Sequence, residues 1–330
     1  MSKYVFTCGD INGIGPELAI KTINKITSSQ KPKKVYFICP SNVFYNTIKH
    51  IKPIFDFEIL QDVKMGTNRF VSVIDTGTTK QNLGKATVTS GKTAYKALSN
   101  SFDLLKAGYA NAIITAPVSK TAVNMAGFDF RGQTETYAKW ARSKDFVMTF
   151  LSNKINAALL TIHNPIKDIS KLLKTKRLED TIKIIHQMLI KDLGISNPLI
   201  AVLGLNPHAG ENVIIGKEEI SIVAPVITRL KRTISVEGPF SSDAFFATKR
   251  FKEFDMILGM YHDQVLIPFK LLNFGKGANY TAGLPFVRTS PDHGVAYDIA
   301  DRYIADESSM VQAFKYARRI VKNRKKLNEN

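Results

Sequence analysis

Three histidines in this chain each follow an apolar, strand-like run: residues 157–162 lead to His163, 199–207 to His208, and 256–261 to His262. In alternating α/β folds, ligands bind where the carboxyl ends of the strands open into loops. Three neutral imidazoles meeting at such an edge would hold a divalent metal and leave positions open for substrate. The histidines stand 45 and 54 positions apart, so no local motif joins them and only the fold can bring them together. Spacing alone equally allows three unrelated strand-end histidines, each satisfied by its own hydrogen bonds.

The neighbouring residues favour a site. Around the second histidine the chain reads Gly204-Leu205-Asn206-Pro207-His208-Ala209-Gly210-Glu211, and around the third Gly259-Met260-Tyr261-His262-Asp263-Gln264. Glycine and proline bend the backbone sharply there, and Asn206, Glu211, Asp263 and Gln264 are the types that orient metal-binding imidazoles. Beyond His262 come Lys270, Gly275-Lys276-Gly277-Ala278-Asn279, Gly283-Leu284-Pro285, Arg288-Thr289-Ser290 and Asp292-His293-Gly294. Lys270, Asn279 and Arg288 are suited to gripping a phosphate or carboxylate, arginine as a two-pronged fork and lysine as a point charge. Any one of them alone also reads as solvated surface.

Two further strand-end stretches offer proton-transfer groups: Lys120 after Thr115-Ala116-Pro117-Val118-Ser119, and Asp243 after Gly238-Pro239-Phe240-Ser241-Ser242. The loop Gly9-Asp10-Ile11-Asn12-Gly13-Ile14-Gly15-Pro16-Glu17 follows a strand and opens a helix. It is neither the dinucleotide fingerprint nor a Walker loop. Its backbone N–H groups could still meet an anion at the helix start.

The elements that must position these residues alternate between strand-like and helix-like almost throughout, the signature of a largely parallel sheet flanked by helices. Strands are expected at 5–8, 34–39, 71–75 and 112–115, and helices at 16–28, 90–107, 176–193, 218–231 and 309–327. Residues 146–151 and 157–162 are close enough in sequence to form an antiparallel pair. At 330 residues the chain exceeds one ordinary core and implies two lobes. The absence of an uncharged apolar run of about 20 residues argues against a membrane span, and with no signal-peptide pattern the expected location is the cytoplasm. Cys8 and Cys39, without a Cys-x-x-Cys partner, read as packing residues. The net charge of +18 is spread along the chain, and its one dense run, Arg318 to Lys326, lies on the final amphipathic helix. No nucleic-acid motif accompanies it, so the positive field suits anionic small molecules rather than nucleic acid.

Taken in order, the motifs Gly13-Ile14-Gly15-Pro16-Glu17, 115–120, 132–135, 206–211, 238–243, 261–264 and 283–294 resemble the 4-hydroxythreonine-4-phosphate dehydrogenase family of vitamin B6 biosynthesis over nearly the whole chain. The resemblance implies an α/β, two-lobed fold similar to the isocitrate and isopropylmalate dehydrogenases, with a cleft between lobes and a homodimer whose partner completes each site. The lobes are expected at 1–125 with 280–330, and at 126–279, the second carrying the metal histidines. It further implies His163, His208 and His262 as ligands of a zinc, magnesium or cobalt ion, the third contributed across the dimer interface. Lys270, Asn279 and Arg288 would contact a small phosphorylated amino-acid substrate, with Gln133 and Thr134 at a second substrate motif. Asp292, His293 and Gly294 would lie near NAD or NADP. The implied reaction is NAD-dependent oxidation and decarboxylation of 4-phosphooxy-L-threonine, with Asp243 and Lys120 as the proton-moving groups. Two rivals are a family relative oxidising 4-phospho-erythronate or threonate, and a metal-dependent hydrolase of a phosphorylated acid. The chain departs from the family at Gln133, where Gly-His-Thr-Glu is usual, and at Asp301, where glycine is expected. Glutamine supplies neutral hydrogen bonds but cannot titrate near neutrality.

Overall fold

Runs of β-branched and aromatic residues form strands buried on both faces, and the computed structural model, which describes residues 2–28, 34–65, 69–273 and 275–329, arranges them in two compact units. The first unit comprises residues 1–142 and 285–321 and the second 143–284 and 322–330.

In the first unit β1 (Lys3–Thr7), β2 (Lys34–Cys39), β3 (Phe57–Leu60), β4 (Val71–Asp75), β5 (Ala112–Thr115) and β12 (Val287–Pro291) lie in the order β3-β4-β2-β1-β5-β12, every pair parallel. All residues of β2 and β5 are buried, as expected where helices cover both faces. Pro16 sits in the first turn of the helix Gly15–Thr27, where its missing N–H costs no hydrogen bond. The helix Val88–Lys106 begins with a capping box, in which the Thr87 side chain accepts from the Ser90 N–H and the Ser90 side chain accepts from the Thr87 N–H. The half-buried edge strand β3 is too short and too mixed in polarity to stand out in the sequence.

In the second unit β6 (Val147–Leu151), β7 (Ala157–Leu159), β8 (Ile200–Leu203), β9 (Val236–Phe240), β10 (Met256–Gly259) and β11 (Ala278–Ala282) run in the order β11-β6-β7-β10-β8-β9. The expected hairpin of β6 and β7 is antiparallel, as is β11 on β6, whereas β7, β10, β8 and β9 pair in parallel. Beneath them Phe150, Leu159, Leu203, Phe245, Ile257, Val265 and Phe269 pack into one core. The helix expected at 218–231 begins instead with a wider π-type turn, Glu219–Val223, before continuing as Ala224–Leu230. Pro225 follows at once and has no N–H to close the regular ladder, and the turn brings the buried Glu219 carboxylate toward residues 205 and 206. Both cysteines are free and buried. Among the described residues no helix is long and apolar enough to cross a membrane.

Residues near the carboxyl end are tied to the second unit by a buried ion pair. Arg324 donates from Nε to Asp192 Oδ1 at 2.7 Å, and the Tyr280 hydroxyl donates to Asp192 Oδ2 at 2.5 Å. Asp192 is 3% exposed, so removing the guanidinium leaves a carboxylate that water cannot solvate. Arg324→Met is predicted to lower the unfolding free energy by about 3 kcal/mol, and adding Asp192→Asn should recover part of it. Urea unfolding checks this; a loss below about 1 kcal/mol would place the pair among the weak surface type.

Candidate active site

In the second unit β10 lies between β7 and β8 and runs parallel to both, so the three strands end on one edge of the sheet. His163 comes four residues after β7, His262 three after β10, and His208 five after β8. The rings of His163 and His262 have centroids 5.9 Å apart. His262 Nδ1 is 2.7 Å from Asp263 Oδ1. A carboxylate only accepts, so Nδ1 carries the proton and the Nε2 lone pair is left for a ligand.

His208 is presented by an unusual turn. Residues 208 to 213 all have positive φ, and five of the six are not glycine. Left-handed backbone costs an L-residue about 1–2 kcal/mol, so the turn needs strong anchoring. Glu219 provides it, accepting from the Leu205 and Asn206 N–H groups at 2.7 and 2.8 Å and from Asn206 Nδ2 at 2.9 Å. Gly204 allows the close approach, since a Cβ there would come 3.0 Å from Ala209 Cα. Gln264 joins the neighbouring strand ends: its Nε2 donates to Gly204 O at 2.6 Å and Ser242 Oγ at 2.8 Å, and its Oε1 accepts from Met260 N at 2.7 Å. Of the four polar neighbours expected to orient imidazoles, Asp263 contacts His262, Asn206 and Gln264 brace the loops instead, and Glu211 lies exposed in the left-handed turn. The structure brings His163 and His262 together; no group of three or more histidine, cysteine or acidic residues able to hold a metal is formed among the described residues.

Asp243 lies exposed in the short helix Ser242–Ala247. The Ser241 hydroxyl donates to it at 2.5 Å and holds its carboxyl below the usual range, helped by the Ala244 N–H and the field of His208. Lys270 is exposed on the helix His262–Asn273, and Asn279 is buried in β11.

The first unit contains a separate cluster around Arg288 of β12, which is 2% exposed. Its Nη2 donates to Thr115 Oγ1 at 2.7 Å and to Gln133 Oε1 at 3.0 Å, and Nη1 donates to Thr134 Oγ1 at 3.2 Å. Burial pushes the guanidinium down to about 10, which leaves it a cation at neutral pH. Lys120 is exposed at the start of the helix Lys120–Met125. Asp292 accepts from Ser309 Oγ at 2.8 Å, His293 Nδ1 lies 3.1 Å from Gly294 O, and Gly294 is exposed.

The glycine-rich loop after β1 behaves differently from the sequence expectation. Asp10 N donates to Pro117 O, Asn12 N to Asp10 Oδ1, Gly13 N to Asp10 O and Ile14 N to Val295 O, so these amides are committed within the protein rather than aimed at an anion. The loop is organised by the fully buried Asp10, whose Oδ2 accepts from Tyr297 OH at 2.8 Å and Ser90 Oγ at 3.2 Å. Burial raises the Asp10 carboxyl above its ordinary range and does the same to the Tyr297 phenol. A charged residue at a strand end was the only sequence signal for this network.

A family model described as pyridoxal phosphate biosynthetic protein PdxA matches residues 28–317. The chain belongs to the PdxA family. A Sulfurihydrogenibium protein named 4-hydroxythreonine-4-phosphate dehydrogenase is 37% identical across 96% of this chain and 98% of its own length. A Salmonella typhi protein provisionally named D-threonate 4-phosphate dehydrogenase is 36% identical across 94% of this chain and 96% of its own. The crystal structure of 4-hydroxythreonine-4-phosphate dehydrogenase from Klebsiella pneumoniae matches the fold with a TM-score of 0.83 at 33% identity, covering 97% of this chain and 100% of that one. The PdxA family is thus the one to which the ordered motifs pointed.

The Asp10 network carries a pH signature for this PdxA-family chain. Because burial raises the folded carboxyl above its unfolded value, the fold binds this proton more tightly, and Asp10's contribution to stability declines as pH rises through the raised value. Asp10→Asn keeps an acceptor and cannot ionise. Its unfolding free energy, relative to the parent in urea, should increase as pH climbs from acid toward neutrality; a difference that is flat or falls would contradict the assignment.

Proposed function

We propose that this PdxA-family chain oxidises the secondary alcohol of 4-phosphooxy-L-threonine with NAD and that the resulting β-keto acid loses carbon dioxide, giving 3-amino-2-oxopropyl phosphate for vitamin B6 synthesis. The observation that carries this reading is its near end-to-end likeness to proteins named for that dehydrogenase, with 37% identity to one of them. The alcohol carbon gives its hydride to the nicotinamide and its hydroxyl proton to a base. The carboxylate then leaves as carbon dioxide, and the enol that remains takes up a proton on carbon.

In this reading Arg288, held by Thr115, Thr134 and Gln133, grips an anionic end of the substrate, with Lys270 and Asn279 as further polar contacts. Asp243, an exposed carboxyl held below its usual range by Ser241, takes the hydroxyl proton. Lys120 returns a proton to the product, and Asp292, His293 and Gly294 line the cofactor. The imidazoles suit a divalent metal such as zinc or cobalt, since the Asp263 contact occupies His262 Nδ1 and leaves Nε2 as the ligating nitrogen. His163, His208 and His262 would hold it; the 5.9 Å between the His163 and His262 rings within one chain favours those two coming from one subunit, rather than His262 from the partner subunit of a homodimer. Such an ion supplies Lewis acidity at the alcohol and ketone oxygen.

A second reading, oxidation of 4-phospho-erythronate or threonate, is favoured by Gln133 and by the relative from Salmonella typhi. NADH formation with each substrate separates the two, and silence with both would overturn the dehydrogenase assignment. His208→Ala is expected to remove turnover and lower bound metal measured by atomic absorption, with the fold retained by circular dichroism. Arg288→Met should raise KM for the phosphorylated substrate by about 10- to 100-fold, the worth of a charge-assisted hydrogen bond.

A further inference from the structure

Helix Thr175–Lys191 presents a mixed stripe inside the second unit: Arg177, Thr181 and Ile184, spaced i, i+4 and i+7, lie along one face. With Phe146, just before β6, and Leu160, just after β7, they wall a cavity of about 500 Å³. Lys144 and Lys174 also line it and are exposed. Arg177 is half-buried, and its hydrogen bond among the described residues runs from Nη2 to Leu160 O at 2.8 Å. Burial lowers its guanidinium, and no carboxylate lies within ion-pair distance of it among the described residues. Its neighbour Lys176 is taken by Asp180 at 2.7 Å. That leaves Lys144, Lys174 and Arg177 against one lining carboxylate, Asp145, an excess of two positive charges.

The cavity lies apart from the residues read as substrate contacts in this unit. Asn279 is paired with Phe150 across β11 and β6, and Phe150 packs on Phe269, so Asn279 faces the side covered by the helix His262–Asn273, which carries Lys270. Tyr280, one residue on, points to the opposite side, as alternation along a strand requires. There its hydroxyl meets Asp192, at the carboxyl end of the helix Thr175–Lys191.

We infer that this cavity is a second anion site, on the sheet face opposite Asn279, which takes a phosphate monoester with an apolar body. An excess of two positive charges matches a dianion, and a phosphate monoester is one at neutral to alkaline pH because its second pKa is near 6. A guanidinium without a carboxylate partner offers its fork of donors to such a group. The volume falls in the range of small-molecule sites, roughly 300–1,000 Å³, and exceeds what a bare phosphate fills. Phe146, Leu160 and Ile184 supply apolar surface for the rest of the ligand. Thr181, between Arg177 and Ile184 on the helix, sets a hydroxyl where the head meets the body.

Phenyl phosphate is the probe and inorganic phosphate its control, both titrated into the full chain by calorimetry at pH 8 and low salt. Phenyl phosphate should bind about 10-fold tighter than inorganic phosphate, the worth of burying part of the ring. Arg177→Met should weaken phenyl phosphate about 30-fold while melting like the parent, as expected for hydrogen bonds between charged groups. Arg288→Met, in the first unit, should change the same affinity by less than about 2-fold. Should Arg177→Met fail to fold, Lys144→Glu combined with Lys174→Glu alters only exposed side chains. That pair should weaken binding about 10-fold at low salt, and the difference should shrink as salt screens the charges. No binding by the unaltered chain, or equal affinity for phenyl phosphate and inorganic phosphate, would overturn the inference. So would unchanged binding in Arg177→Met or in the double glutamate variant. A loss in Arg288→Met as large as that in Arg177→Met would assign the binding to the Arg288 cluster and overturn it as well.

Discussion

Parallel pairing of β10 with β7 on one side and β8 on the other is the constraint on which the histidine edge depends. A parallel ladder makes neighbouring strands end together, whereas an antiparallel neighbour would carry its loop to the opposite edge. Because three consecutive neighbours share one direction, His163, His208 and His262 leave the sheet on the same side despite being scattered along the chain. The core beneath them, built from Phe150, Leu159, Leu203, Ile257 and Phe269, makes a shift of any one strand costly. Loops on such a base are positioned by the sheet and shaped by their own bonds.

The shaping is done largely by buried carboxylates and amides used as multiple acceptors and donors. Glu219 accepts three hydrogen bonds to hold the left-handed turn before and through His208, and Gln264 fastens three strand ends with one side chain. In the first unit Asp10 plays the same part for the glycine-rich loop, tying it to Ser90 and Tyr297. A buried acceptor left unmade costs more than a made one contributes, so such groups enforce a single loop geometry. Arg288 follows the complementary logic. It is a buried cation whose neighbours Thr115, Thr134 and Gln133 orient it through neutral oxygens.

Much of this was legible from residue order. Pro16 and the apolar runs of β2, β4 and β5 specify their elements locally, because propensity acts within a few residues. The ordered motifs from Gly13 to Gly294 pointed to the PdxA family, and the family model confirms it. The expected regular helix at 218–231 was altered by Pro225 and by the need to aim Glu219, a tertiary demand that no local pattern records. The glycine-rich loop read as an anion cradle because its glycines are visible in sequence, while the partners of its N–H groups, Pro117 and Val295, are remote.

The sequence by itself determined the alternation of strands and helices, the supply of imidazole, carboxylate and guanidinium groups, and the family, since each depends on residue type and order. Only the tertiary structure decided which of those groups meet. Strand order placed β10 between β7 and β8, and the return of β12 to β5 set Arg288 against Thr115. The physical reason is that side-chain chemistry is carried by single residues, whereas convergence is set by hydrogen-bonded pairings between segments far apart in the chain.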